Sequence, residues 1–371
     1  MHNQTILSKI VSIATSVPAN KYDQNELLQF ADKVFSETPD DSRKLKFLYN
    51  KSGIDTRYSV TADFKALPED RSFFPISDDL EPFPSIEKRM KLYMEQAPLL
   101  SVDAINKCID RRISKNDITH LITVSCTGIS APGLDLQIME KMELPGKIVR
   151  TSVNFMGCYA AVHALKLADA FCRSTDKANV VVVCTELCTL HFQKTASIDN
   201  LTASLLFADG CAAMLIQNDP TVKGIRLKSF FSDVSFKGKN EMAWEISAKG
   251  FLMTLTGYVP ALIKEDFAEL VNKALAVTNE KTEDITHWCI HPGGKQILQS
   301  ISSGLNLPLE KLNYSYEVLR DYGNMSSATI VFVLKKILEE CCQQQPEIKP
   351  LIFGAAFGPG LTMETFTATY D

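Results

Sequence analysis

Short apolar runs recur along this chain, separated by longer stretches in which apolar residues return at helical spacing. His120 to Ser125 (HLITVS), Asn179 to Thr185 (NVVVVCT), His287 to Ile290 (HWCI) and Pro350 to Ala355 (PLIFGA) read as buried strands. Between them, Ile86 to Asp110 brings Met90, Tyr93, Met94, Ala97, Leu100 and Ala104 to one side of a predicted helix. Ala160 to Cys172 is apolar around most of its circumference, which predicts a buried helix. Ser326 to Glu340 opens with serines able to cap a helix and turns charged at its end. Strands alternating with helices predict an α/β architecture.

The pattern changes character near Asp219 to Val222, and an irregular polar stretch runs from Ser232 to Glu241. Strand–helix–strand signals lie on both sides, so the chain reads as two halves, 1–220 and 221–371. A duplicated α/β unit fits this pattern without being demonstrated by it. A length of 371 residues is long for one core and suits two fused domains. Hydrophobic residues at 45% and charged residues at 22% give the balance of a soluble globular protein. A net charge of −5 weighs against nucleic acid as the main partner. The first twenty residues lack the basic and apolar regions of a secretory leader, and no apolar run approaches the roughly 20 residues of a membrane span. A cytoplasmic location follows as the expectation.

The ten cysteines form no C-x-x-C pair and no zinc-ligand spacing with His. For eight of them a small buried hydrophobe in a reducing compartment is the plain reading. Cys158 and Cys126 are set apart.

Three positions carry candidate chemistry. Cys158, in NFMGCYAAVHALKLADA, follows Gly157 at the start of an apolar helix, where the positive helix end favours a thiolate. A packed core cysteine fits the same context. His291 ends the run HWCI beside Pro292-Gly293-Gly294, so its imidazole can face a cleft, accept a thiol proton and then hydrogen-bond a carbonyl oxygen. A His satisfied within a turn also fits. Asn324, in DYGNMSSAT, suits a turn or cap, and equally an amide that donates to an enolate oxygen without taking its proton. Together they make a Cys–His–Asn set in which each member sits at a Gly-bearing turn. GAAFGPGLTMET adds a loop of backbone amides without side-chain bulk.

The segments GCYAA, LFADG, HPGG, YGNMSSAT and FGPGLTMET, in this order and spacing from about residue 5 onwards, resemble the signatures of type III polyketide synthases, the chalcone-synthase-like family, and of its bacterial type. The resemblance implies a five-layered αβαβα thiolase-like fold of two similar halves, used as a homodimer. It implies an acyltransferase in which Cys158 carries the acyl chain, while His291 and Asn324 promote decarboxylation of malonyl-CoA. Phe207 matches a gatekeeper between the CoA tunnel and the cavity. Lys44 and Lys51, in RKLKFLYNKSG, match basic residues that meet CoA phosphates, although a solvated helix face accounts for them too. No cofactor or metal is implied beyond the CoA thioesters themselves.

Departures from the plant pattern concern the substrate. Phe47 stands where a third basic CoA contact is expected. Met253 replaces a second gatekeeper Phe, Trp244 takes the place of a cavity-lining Gly, and Cys126 that of a Thr. His191 falls at another cavity-shaping Thr, while Ser326 is retained. Trp244 should remove cavity volume, favouring either few extensions or an aliphatic chain running past Cys126 and Met253. The expected reaction joins an acyl-CoA starter to malonyl-CoA iteratively, then cyclises the chain to a pyrone, resorcinol or phloroglucinol. The alternatives are a single-condensation β-ketoacyl synthase III using a carrier protein, and an inactive thiolase-fold scaffold.

Overall fold

Each apolar run read as a strand is a strand in the computed structural model, which describes residues 8–77, 79–344 and 349–371. The first seven residues of the segment read as lacking a leader lie outside the described residues. The chain runs β1 (Lys9–Ser16), β2 (Asn20–Asp23), α1 (Gln24–Phe35), α2 (Pro39–Lys51), β3 (Thr56–Ser59), α3 (Ile86–Ile109), β4 (His120–Ser125), α4 (Leu134–Met142) and β5 (Val149–Asn154). It continues through α5 (Ala160–Ser174), β6 (Asn179–Leu187), α6 (Ile198–Leu206), β7 (Asp209–Gln217), β8 (Ile225–Val234), β9 (Met242–Ser247) and β10 (Gly250–Leu255). It ends with α7 (Val259–Ala276), β11 (His287–Ile290), α8 (Lys295–Leu305), α9 (Asn313–Tyr322), α10 (Ser327–Gln344), β12 (Leu351–Gly358) and β13 (Thr362–Tyr370).

Nine of these strands follow one another in the order β11-β12-β13-β8-β1-β7-β6-β4-β5. The ladder narrows at its middle. β1 and β8 pair only through Lys9 with Arg226 and Ile10 with Ile225, so two sub-sheets meet at a two-residue seam.

Alternation along the strands sorts their side chains into layers. On β6 and β7, Val181, Val183 and Leu215 pack with the α3 residues Ala97, Ala104 and Ile105. Val180, Val182, Met214 and Ile216 turn the other way, toward α5 and α10. On β12, Phe353 and Ala355 join Phe267, Leu270 and Leu298 of α7 and α8, while Ile352 and Ala356 join the α10 core. The result is helices, sheet, a central pair α5 and α10, sheet, helices: the five-layered αβαβα arrangement. Because α5 and α10 are covered on both sides, they are apolar almost all round, as the sequence of Ala160 to Cys172 requires.

Three elements depart from the sequence reading. β8 runs on through Ser232 to Val234, inside the stretch read as irregular, because these residues pair with Glu364 to Thr362 of β13. The β9–β10 hairpin stands apart from the large sheet and sets Trp244 opposite Met253. β13 follows the Gly358-Pro359-Gly360 turn directly, so that loop joins two antiparallel strands.

Candidate active site

The turn that carries Cys158 depends on glycine. Between β5 and α5 the backbone enters the left-handed region at Gly157, with φ of +83°. A Cβ there would also lie 2.1 Å from Pro359 Cδ, so the Gly-Pro-Gly turn is seated on the nucleophile turn. Pro359 lines the same cavity as Cys158.

His291 follows the last residue of β11, and its backbone N–H donates to Ala355 O at 2.9 Å. Both ring nitrogens are buried, and neither has a hydrogen-bond partner among the described residues. Burial pushes its pKa down to about 3, so the ring is neutral. Asn324 is held from both sides of its backbone, its N–H donating to Leu206 O and its C=O accepting from Ala208 N, each at 2.9 Å. This ties Asn324 to Phe207, which lies between those two partners. Asn324 Oδ1 accepts from Ser326 N at 2.8 Å, which turns the amide so that Nδ2 donates to Gly293 O at 3.2 Å.

Cys158 Sγ donates to Ser326 Oγ at 3.6 Å. The expected acidification of this thiol by the helix N-terminus is outweighed: burial pushes its pKa up to about 12. The hydrogen bonds of Ser326 and Asn324 act downward, and the buried carboxylate of Glu186 acts upward. Glu186, on β6, is fully buried and accepts from Cys126 N at 2.9 Å and Thr127 Oγ1 at 2.8 Å. Ser327 Oγ at the start of α10 donates to its other oxygen. Burial pushes Glu186 up to about 7.

One cavity of about 320 Å³ brings together Cys158, His291 and Asn324, which come from three different turns. Phe207, Met253, Trp244, Cys126, Ser326 and Lys51 also line it. Trp244 Nε1 donates to Cys126 O at 2.7 Å, and Cys126 Sγ accepts from Gly157 N at 3.0 Å. Two expected residues are elsewhere. Lys44 is exposed on α2 and does not line the cavity. His191 does not reach it either: its ring is taken up by Thr127 O at Nε2 and by Phe251 N at Nδ1, and it stacks on Phe251 at 4.2 Å. It braces the loop and hairpin behind Trp244, beside a separate hollow of about 40 Å³.

With this geometry in place, known proteins are informative. Residues 3–220 match the N-terminal domain of chalcone and stilbene synthases, and residues 227–369 match their C-terminal domain. The chain belongs to the chalcone and stilbene synthase family. It is a type III polyketide synthase, an acyl-transferring enzyme of thiolase-like fold. It is 30% identical over 369 residues to the "Alpha-pyrone synthesis polyketide synthase-like Pks18" of Mycobacterium tuberculosis, covering 97% of this chain and 90% of that protein. It is 29% identical over 366 residues to "Probable polyketide synthase 1" of Dictyostelium discoideum, of whose length it spans only 11%. Among solved structures, PKS-I of the brown alga Ectocarpus siliculosus superposes with a TM-score of 0.92 at 26% identity, over the whole of both chains. The C-terminal type III domain of the Dictyostelium type I/III hybrid Steely1 superposes with a TM-score of 0.88 at 28% identity, covering 98% of this chain and 99% of that one.

The synthase also has site residues that sequence reasoning passed over. Cys188, three positions before His191, is a wall of the main cavity. Lys295, directly after the run HPGG, lines it too. Glu186 carries no local motif, since its partners Cys126, Thr127 and Ser327 are distant in sequence.

Proposed function

We propose that Cys158 takes an acyl group from a CoA starter and that His291 accepts the thiol proton as the thioester exchanges. Malonyl-CoA then loses CO₂ beside His291 and Asn324, whose N–H groups hold the enolate oxygen, and the carbanion attacks the Cys158 thioester. The observation that carries this reading is the pair of unpartnered nitrogens on buried His291, in the cavity shared with Cys158 and Asn324. A buried polar group left unpaired costs about 1–3 kcal/mol, and a substrate carbonyl oxygen in that cavity would satisfy the imidazole N–H. After repeated extension the chain cyclises to a pyrone, resorcinol or phloroglucinol.

In this reading residues 1–220 supply the nucleophile and residues 221–371 the His and Asn, in a homodimer working in the cytoplasm without a metal or redox cofactor. Among the described residues no helix is long and apolar enough to cross a membrane. The test is mass spectrometry of products from malonyl-CoA and acyl-CoA starters of increasing length. Cyclised tri- or tetraketides support iterative synthesis. A single condensation per starter, or turnover only with carrier-bound substrate, replaces it with the ketoacyl synthase reading.

A further inference from the structure

Arg89, in the first turn of α3, is fully buried, and no carboxylate of the described residues acts on it. Burial alone moves its pKa, down to about 10, so the guanidinium stays charged. Its Nη2 has no hydrogen-bond partner among the described residues. A charge buried in this way is costly, so its remaining contacts identify what that cost supports. Nε donates to Pro84 O at 3.0 Å, and Nη1 donates to Leu190 O and, at 3.0 Å, to Phe192 O. The last two carbonyls flank His191 in the turn that follows β6. His191 in turn accepts from Phe251 N and meets the Trp244 ring edge-on at 5.6 Å.

The same guanidinium closes on the turn of the β9–β10 hairpin. At Gly250 φ is +114°, and a Cβ would come within 2.8 Å of Arg89 Nε. Two further contacts hold that turn. Ile86 N, at the start of α3, donates to Ala248 O at 3.1 Å, and Gln193 Nε2 donates to His191 O at 3.0 Å and Lys249 O at 3.1 Å. Arg89 therefore touches both supports of Trp244: the segment that carries His191, and the turn that joins the two strands of the hairpin. Because Trp244 is a wall of the Cys158 cavity, displacing its backing changes the depth of that cavity directly.

We infer that Arg89 is a positioning residue for substrate selection: by fixing the His191 and Gly250 turns it holds Trp244 in place, and so sets how long a chain the Cys158 cavity accepts. The inference rests on the reading that acyl chains occupy that cavity. The experiment pairs a spectroscopic readout with a kinetic one in the full-length enzyme. Of the two tryptophans, Trp288 is buried and Trp244 half-buried, so acrylamide quenching of fluorescence reports on Trp244, and Trp244→Phe assigns the signal. Arg89→Lys keeps the charge but loses the planar fork that reaches three carbonyls. Quenching should rise, and kcat/KM for a longer acyl-CoA starter over a shorter one should rise about tenfold, the low end of discrimination by a hydrophobic pocket. Adding Arg89→Lys to Trp244→Gly should leave the starter ratio of Trp244→Gly unchanged. Ile105→Ala, which empties a buried site elsewhere on α3, should lower Tm and move neither readout. Unchanged quenching in Arg89→Lys, raised quenching with an unchanged starter ratio, a further shift in the Trp244→Gly background, or equal effects in Ile105→Ala each overturn the inference. If Arg89→Lys does not fold, Gly250→Ala takes its place, because the added Cβ presses on Nε: both readouts rising supports the inference, and either one unchanged overturns it. If the wild type condenses no starter, the functional reading fails instead, and quenching alone decides whether Arg89 holds Trp244.

Discussion

Trp244 donates its indole N–H to the carbonyl oxygen of Cys126 at 2.7 Å, pinning the β9–β10 hairpin to the segment that leaves β4. The ring also meets His191 and Phe251 edge-on, at 5.6 Å and 5.9 Å, and Met253 is its cross-strand partner. It is a fixed wall rather than a mobile flap. Trp244→Gly should therefore lengthen the products or admit bulkier starters. Trp244→Phe, which keeps much of the bulk, should preserve the product profile while losing about 1–3 kcal/mol of stability for the unpaired Cys126 carbonyl. Chromatography of the products decides the first point and urea unfolding the second. An unchanged profile in Trp244→Gly removes the residue from the list of those that set chain length.

The triad should separate into steps. Cys158→Ala should abolish acylation and extension while malonyl-CoA decarboxylation persists. Asn324→Ala should lower decarboxylation by about 100-fold or more while acylation of Cys158 continues. Intact-protein mass spectrometry reads acylation, and CO₂ release reads the other step. Equal loss of both in Asn324→Ala would contradict the separate role of the amide.

Ser326 is the hydrogen-bond partner that most lowers the Cys158 thiol against the effect of burial. Ser326→Ala should raise the midpoint of the pH dependence of iodoacetamide alkylation at Cys158. A downward or absent shift would show that the hydroxyl does not stabilise the thiolate.

Glu186 ties stability to pH. Its folded pKa of about 7 lies above the ordinary value of 4.5, so between those values the folded protein keeps a proton that the unfolded chain releases. Stability therefore falls as pH rises through this window, and the loss is complete above it. Glu186→Gln keeps the shape and removes the titration, so urea midpoints measured from pH 5 to 8 should decline less steeply than in the wild type. A constant difference between the two proteins at every pH would mean that Glu186 acts through packing alone. Asp209, also pushed up by burial, to about 6, titrates in both proteins and cancels from the comparison.

What the sequence revealed follows from where the information lies. Cys158, His291 and Asn324 each sit in a local run whose glycines mark a turn, and the buried strands announce themselves as apolar runs. The layers were legible because α5 is apolar around most of its circumference. His191 misled because its partners, Thr127 O and Phe251 N, are backbone groups some sixty residues away, which no local pattern shows. Lys295 went unseen for a related reason: its place in the cavity wall depends on α8 packing against Gly53, far away in sequence. The β9–β10 hairpin was missed because its strands are mostly half-buried and pair only with each other, apart from the large sheet.

The two-residue seam between β1 and β8 has a consequence for the chemistry. The thiol is positioned by elements on one side of that seam and the imidazole by elements on the other. Their spacing is therefore an assembly tolerance, inherited from how two parts fit rather than from the rigidity of either. The central layer of α5 and α10, joined to one sheet by the hydrogen bond from Ser327 of α10 to Glu186 of β6, works as the shim that sets the fit. Changing the thickness of that layer by a methyl group would detune the reaction without touching any reacting residue.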